Sequence, residues 1–211
     1  MNYNKEKIDE IYKIYDEIKD KIESRLNEFN NILKKGNEED FIYEFIFCLL
    51  TPQSKAKICD KAVQLLRKNS NQESIDKFLY GVRFKNKKSL YIKEFLEKIK
   101  KYKSFKNLIL SFENDEQRRD FLVKNFKGIG LKEASHFLRN VGLGDNFAIL
   151  DRHILKNLKE IGIIDKIPKN LSKKMYKEIE EKMRRFSDEI KLNMKYLDFI
   201  LWYKETREVF K

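Results

Sequence analysis

The chain has 211 residues, 41% of them apolar, and its 46 Lys and Arg outnumber 34 Asp and Glu for a formal charge of +12. That much apolar material supports a core and excludes wholesale disorder, while the length suits one domain or two small lobes. The cationic excess predicts attraction to a polyanion, nucleic acid first, although lysine-rich surfaces also arise without such a partner.

Cys48 and Cys59 are the two cysteines and His136 and His153 the two histidines. This inventory excludes a four-thiolate iron–sulfur or zinc site, a disulfide framework and a multi-histidine metal centre. The opening MNYNKEKIDE has no apolar signal core, and the richest apolar run, FIYEFIFCLL, is short and contains Glu44. A soluble, cytoplasmic protein with reduced thiols and no membrane partner is expected.

In chain order, Ile8, Ile11, Tyr15, Ile18, Ile22, Leu26 and Phe29 recur at spacings of three and four. They predict a long amphipathic helix that packs on the body of its own chain. Asn37 with Glu38 and Glu39 marks the start of a helix through FIYEFIFCLL, which Pro52 interrupts before SKAKICDKAVQLLRK resumes helical spacing. Residues 71–80, 88–102 and 113–126 read as three short helices joined by polar turns. A helix over 130–141, a loop VGLGDNFAI, a helix opening at Asp151, a helix over 171–186 and a last one over 188–206 complete the chain. Ile190, Met194, Leu197 and Leu201 are expected on the core face of that last helix. No segment alternates as a strand does, so the fold class is all-α.

One stretch stands apart. In FKGIGLKEASHFLRNVG, two of the seven glycines, Gly128 and Gly130, bracket one isoleucine between two helices, and Lys132 follows. Glycines there permit backbone angles closed to other residues and bring amides to the surface, where a helix N-terminus accepts a phosphate oxygen. The alternative is a plain tight turn between packed helices. For Lys132, the positive end of the following helix favours the neutral, nucleophilic amine; the alternative is a solvated surface charge. Asp151, 19 residues further on, serves as an N-cap on the plain reading and as a carboxylate partner for the lysine on the functional one.

With these residues in view, KGIGLKEASHFLRNVG followed by AILDRH resembles the helix-hairpin-helix DNA glycosylase superfamily in its lysine-bearing, bifunctional form. FCLLTPQSKA is similar to that family's helix-to-loop element, GVRFKNKKSLYI to its DNA-wedge loop, and the ending LDFILWYKETREVFK to the compact prokaryotic 8-oxoguanine glycosylase/lyase type. The resemblance covers the whole chain, and the absence of cluster cysteines agrees with the compact type. It implies a two-lobed helical fold with the active-site cleft between lobes, one lobe over roughly 35–125 and the other built from 1–34 with 126–211.

By the same resemblance, Lys132 attacks the sugar of an oxidised nucleotide in double-stranded DNA, Asp151 assists, and β-elimination through a Schiff base cuts the strand. His136, Asp198, Trp202 and Lys211 are implied in the pocket for the flipped 8-oxoguanine. Gln53, Arg83, Phe84, Gly128, Gly130 and His153 are implied at the DNA, with Phe84 as the wedge among Arg83, Lys85, Lys87 and Lys88. No cofactor is implied and no metal, apart from a monovalent cation as a candidate ligand of the hairpin at Gly128 and Gly130. A monomer is expected. Two rival readings stand beside this one: a glycosylase of the same fold for a different lesion, and a non-catalytic helix-hairpin-helix DNA-binding module.

Overall fold

The structure, a computed structural model, describes residues 3–69 and 75–211. Among them every regular element is a helix: α1 (Lys5–Lys35), α2 (Glu38–Leu50), α3 (Ala56–Lys68), α4 (Ile75–Phe78), α5 (Lys85–Ile99), α6 (Phe105–Leu110), α7 (Asp115–Asn125), α8 (Leu131–Asn140), α9 (Arg152–Ile161), α10 (Lys173–Glu189) and α11 (Met194–Thr206). The all-α expectation holds.

The chain divides into two compact units, one of Met1–Phe29 with Gly144–Lys211 and one of Asn30–Leu143. The hairpin stretch 126–142 therefore lies with the central helices, where the sequence grouped it with the C-terminal ones. The reason is packing: α8 lies against α7 and α2, and its Phe137 joins their aromatic core.

In the first unit the apolar stripe of α1 is consumed internally. Ile11, Ile14, Ile18, Ile22, Leu26 and Phe29 are all buried. Phe29 stacks on Phe199 of α11 with ring centroids 6.3 Å apart, and Tyr203 Oη donates to Glu17 at 2.6 Å. Tyr12 Oη donates to the Ile190 carbonyl at 2.8 Å. Ile190 is not on α11 as expected: α10 runs on to Glu189, and the chain turns through Lys191 at φ +52° before Asn193 caps α11.

The second unit is built on a cluster of phenylalanines. Phe45 of α2 stacks on Phe95 of α5 at 4.1 Å and meets Phe105, Phe126 and Phe137 edge-on within 5.5 Å. Each such pair adds about 0.5–1.5 kcal/mol beyond burial, so this one ring ties four helices and the hairpin together. α2 starts as expected, with Asn37 and Asp40 in a reciprocal capping box. Helix α6 lies where the sequence pattern predicts a polar turn. It is capped locally by Ser104, whose Oγ accepts from the Asn107 amide, and at long range by the Glu38 carboxylate, which accepts from the Phe105 and Lys106 amides. Of the helix expected over 71–80, residues 75–78 are helical and 71–74 lie outside the described residues.

Candidate active site

The hairpin begins where α7 ends at Asn125, and Phe126 buries its ring in the core. Gly128 then takes φ +82°, and a Cβ on it would stand 2.6 Å from the Tyr91 ring of α5. Two independent constraints, a left-handed backbone and an aromatic ring beneath it, thus demand glycine there. Gly130 is different. Its backbone is extended, and its N–H donates to Glu133 Oε2 at 3.0 Å. The expectation of two bare glycine amides is therefore corrected: Glu133 holds the Gly130 amide. Gly130, the N-cap of α8, has no side chain to accept from the first-turn amides, so the Glu133 bond to its own amide is the side-chain contact at this helix start.

Lys132 is the second residue of α8 and is half-buried. Its Nζ lies 3.3 Å from Thr51 Oγ1, and Thr51 in turn donates to the Cys48 carbonyl at 2.8 Å. Lys132 is therefore not a solvated surface charge; it is steered by the C-terminal end of α2. His136, one turn on, is also no surface residue: it is 6% exposed and meets Phe47 edge-on at 5.7 Å.

The loops on either side of this lysine's support carry the other candidates of the second unit. Gln53 is exposed with φ +54°, and Phe84, the N-cap of α5, is 53% exposed with φ +58°. The Arg83 guanidinium lies 5.0 Å from the Phe84 ring centroid. Lys88, grouped with the surface bases around Phe84 in the sequence, is instead 5% exposed. Its Nζ donates to the carbonyls of Leu50 and Pro52, each at 2.7 Å, and to Ser54 Oγ at 3.1 Å. Burial first, and the like charge of Lys132 in addition, hold its ammonium below the ordinary lysine range, against the opposing influence of Cys59 and Glu133. The Cys59 thiol, fully buried beside it, donates to Leu50 O at 3.3 Å, and burial pushes it up to about 11.

In the first unit Asp151 is the N-cap of α9. Both capping bonds, from the amides of His153 at 2.8 Å and Ile154 at 2.9 Å, go to Oδ1. Oδ2 makes no hydrogen bond among the described residues. The cap thus occupies one carboxylate oxygen of Asp151 and leaves the other outside it. His153 stands edge-on to Trp202 at 5.3 Å with Nδ1 3.8 Å from Glu205 Oε2. Burial opposes ionisation of Glu205, yet Lys156 and Asn157 outweigh it and hold the carboxyl below its usual range. Asp198 is buried and Trp202 half-buried on α11. Near the end of the chain the Arg25 guanidinium covers the Phe210 ring at 5.9 Å, and Lys211 is half-buried.

No local pattern reveals what Thr51, Ser54, Lys88, Tyr91, Glu133 or Glu205 meets in the fold. Each acts through a partner on another helix or at the far end of a loop, except Glu133, whose position three after the hairpin glycine is a capping-box spacing. Among the described residues no group of three or more His, Cys, Asp or Glu could hold a metal ion.

The Ogg-HhH family model, described as 8-oxoguanine DNA glycosylase, matches residues 22–192. A Fusobacterium nucleatum protein named 8-oxoguanine DNA glycosylase/AP lyase is 46% identical over 98% of both chains, and a Methanocaldococcus jannaschii protein of the same name is 42% identical over 92% of this chain and 94% of its own. The crystal structure of the M. jannaschii 8-oxoguanine glycosylase/lyase in complex with 15mer DNA containing 8-oxoguanine superposes with a TM-score of 0.87 at 39% identity, covering 97% of this chain and 99% of that one. The Thermotoga maritima 8-oxoguanine DNA glycosylase gives 0.88 at 36% identity over 98% and 99%. With the hairpin glycines, the lysine after them and the capping aspartate all present, the chain belongs to the helix-hairpin-helix 8-oxoguanine DNA glycosylase family.

Proposed function

We propose that this protein removes 8-oxoguanine from double-stranded DNA and then cuts the strand on the 3′ side of the abasic site. The observation that carries the reading is Lys132, a half-buried amine at an uncapped helix N-terminus directly after the hairpin, in a chain nearly half identical to a named glycosylase/AP lyase over its full length.

The target nucleotide leaves the stack before reaction. The Nζ lone pair of Lys132 attacks C1′, the N-glycosidic bond breaks, and the base departs with the bonding electrons to be protonated. The sugar ring opens to an iminium on Lys132. Loss of a C2′ proton expels the 3′-phosphate by β-elimination, and water then releases the sugar and restores the amine. Asp151, through Oδ2, stabilises positive charge developing on the sugar and takes up the proton lost from the amine.

Trp202 stacks on the extruded base while Asp198 and Lys211 bind its edge and His136 closes the pocket. Phe84 and Gln53 fill the vacated stack, Arg83 and His153 contact phosphate, and the hairpin at Gly128 and Gly130 grips the backbone, alone or with a monovalent cation. The protein works as a monomer in the cytoplasm, on DNA. The apolar stripe of α1 is used up within its own unit, and no helix among the described residues is long and apolar enough to cross a membrane.

Borohydride reduction in the presence of an 8-oxoguanine duplex tests this directly. A covalent adduct is expected from the wild type and none from Lys132→Gln. Binding without any trapped adduct would leave a non-catalytic DNA-binding module, and trapping on oxidised pyrimidine in place of 8-oxoguanine would reassign the lesion.

A further inference from the structure

A buried ammonium is costly unless acceptors surround it, and every acceptor of Lys88 comes from one five-residue segment. Leu50 O lies at the C-terminus of α2, where the helix dipole favours a cation. Pro52 O and Ser54 Oγ belong to the loop after it. Ser54 Oγ also accepts the Arg83 N–H at 3.0 Å. One lysine and one hydroxyl therefore knot together two loops that are 29 residues apart in the chain.

What those loops present is specific. Gln53 lies between Pro52 and Ser54, two of the three residues bonded to Lys88, and Phe84 directly follows the Arg83 amide bonded to Ser54. Both side chains are exposed, and both backbones are left-handed, at φ +54° and +58°. Side chains with a Cβ disfavour that region, so each conformation persists only because surrounding contacts over-determine it. The hydrogen bonds of Lys88 and Ser54 are the contacts that flank both positions.

Building on the glycosylase reading, we propose that Lys88 is a positioning residue, with Ser54 as the joint, that locks the 52–54 and 81–84 loops so that Gln53 and Phe84 enter the duplex as one preformed pair. The knot serves nucleotide extrusion; Lys132 is held apart from it, through Thr51, whose hydroxyl is fixed on the Cys48 carbonyl inside α2.

The test separates extrusion from chemistry. Lys88→Met and Ser54→Ala are each assayed on a lesion paired in a duplex and on a preformed abasic site in the same sequence. A 2-aminopurine beside the target reports unstacking. A loss of roughly 10- to 100-fold is expected for single-turnover excision from the paired duplex, with a matching loss of the fluorescence rise. Cleavage at the abasic site should fall less than about threefold, the scale of a minor perturbation. In a Phe84→Ala background Lys88→Met should add little, because both act through the same wedge. Equal slowing on both substrates, or full additivity with Phe84→Ala, would overturn the proposal. So would lowered thermal stability with normal extrusion in both variants. Should Lys88→Met not fold, Ser54→Ala alone decides. A wild-type protein that excises nothing while binding DNA would refute the glycosylase reading itself, an outcome the variants cannot mimic.

Discussion

Thr51 and Lys132 meet across 81 residues of chain: the threonine Oγ1 lies 3.3 Å from the lysine Nζ and donates its own proton to Cys48 O. With that proton engaged, the hydroxyl can only accept from the amine, which aims Nζ from the end of α2. Thr51→Val keeps the shape and removes the acceptor. It should slow single-turnover excision by roughly 3- to 10-fold, the equivalent of one hydrogen bond of about 1 kcal/mol, with little change in DNA affinity by fluorescence anisotropy.

Gly128 meets two constraints at once. Gly128→Ala places a Cβ at φ +82° against the Tyr91 ring. The backbone alone costs about 1–2 kcal/mol, seen as a lower midpoint in urea unfolding. Adding Tyr91→Ala should relieve the clash and recover only part of that loss. DNA binding should weaken along with stability, since the same turn presents the amides.

Asp151 permits stability and chemistry to be separated. Asn caps as well as Asp, so Asp151→Asn should melt within about 0.5 kcal/mol of wild type and bind DNA normally while excision slows by orders of magnitude. Asp151→Ala should lose both, the cap costing about 1 kcal/mol. Near-normal excision by the Asn variant would return this residue to a capping role alone.

Cys59 gives a pH signature. Burial raises its thiol to about 11 from an ordinary value of 9.0. Between those values the unfolded chain has lost the proton that the native chain keeps, so the native state binds more protons and stability falls as pH rises. A loss on the order of 2 kcal/mol should accumulate across that window, and it should be absent in Cys59→Ala by denaturant titration at pH 8 and 11. Native protein should resist iodoacetamide at neutral pH at Cys48 and Cys59, both buried.

Local chemistry made much of this protein legible before any coordinates. The stripe of α1, the Asn37 start of α2 and the glycine break at 126–130 each rest on neighbours within one or two helical turns, and each appears where expected. The placement of Lys132 after that break and of Asp151 at a helix start is local in the same sense. The sequence also stated the family through motifs whose chemistry depends on short spacings.

What the sequence could not say depends on residues distant in the chain. Helix α6 has a local cap in Ser104, but the second one, Glu38, stands 67 residues before Phe105. The hairpin's placement with the central helices follows from Phe137 entering the Phe45 cluster. Lys88 looked like one more surface base in a lysine-rich loop, yet folding buries it. The deciding acceptors, Leu50 O and Pro52 O, are backbone carbonyls that no side-chain pattern announces. Spacing along a helix determines which face a residue occupies; only the packing of helices against one another decides what that face meets, and hence which cation is solvated and which is buried among acceptors.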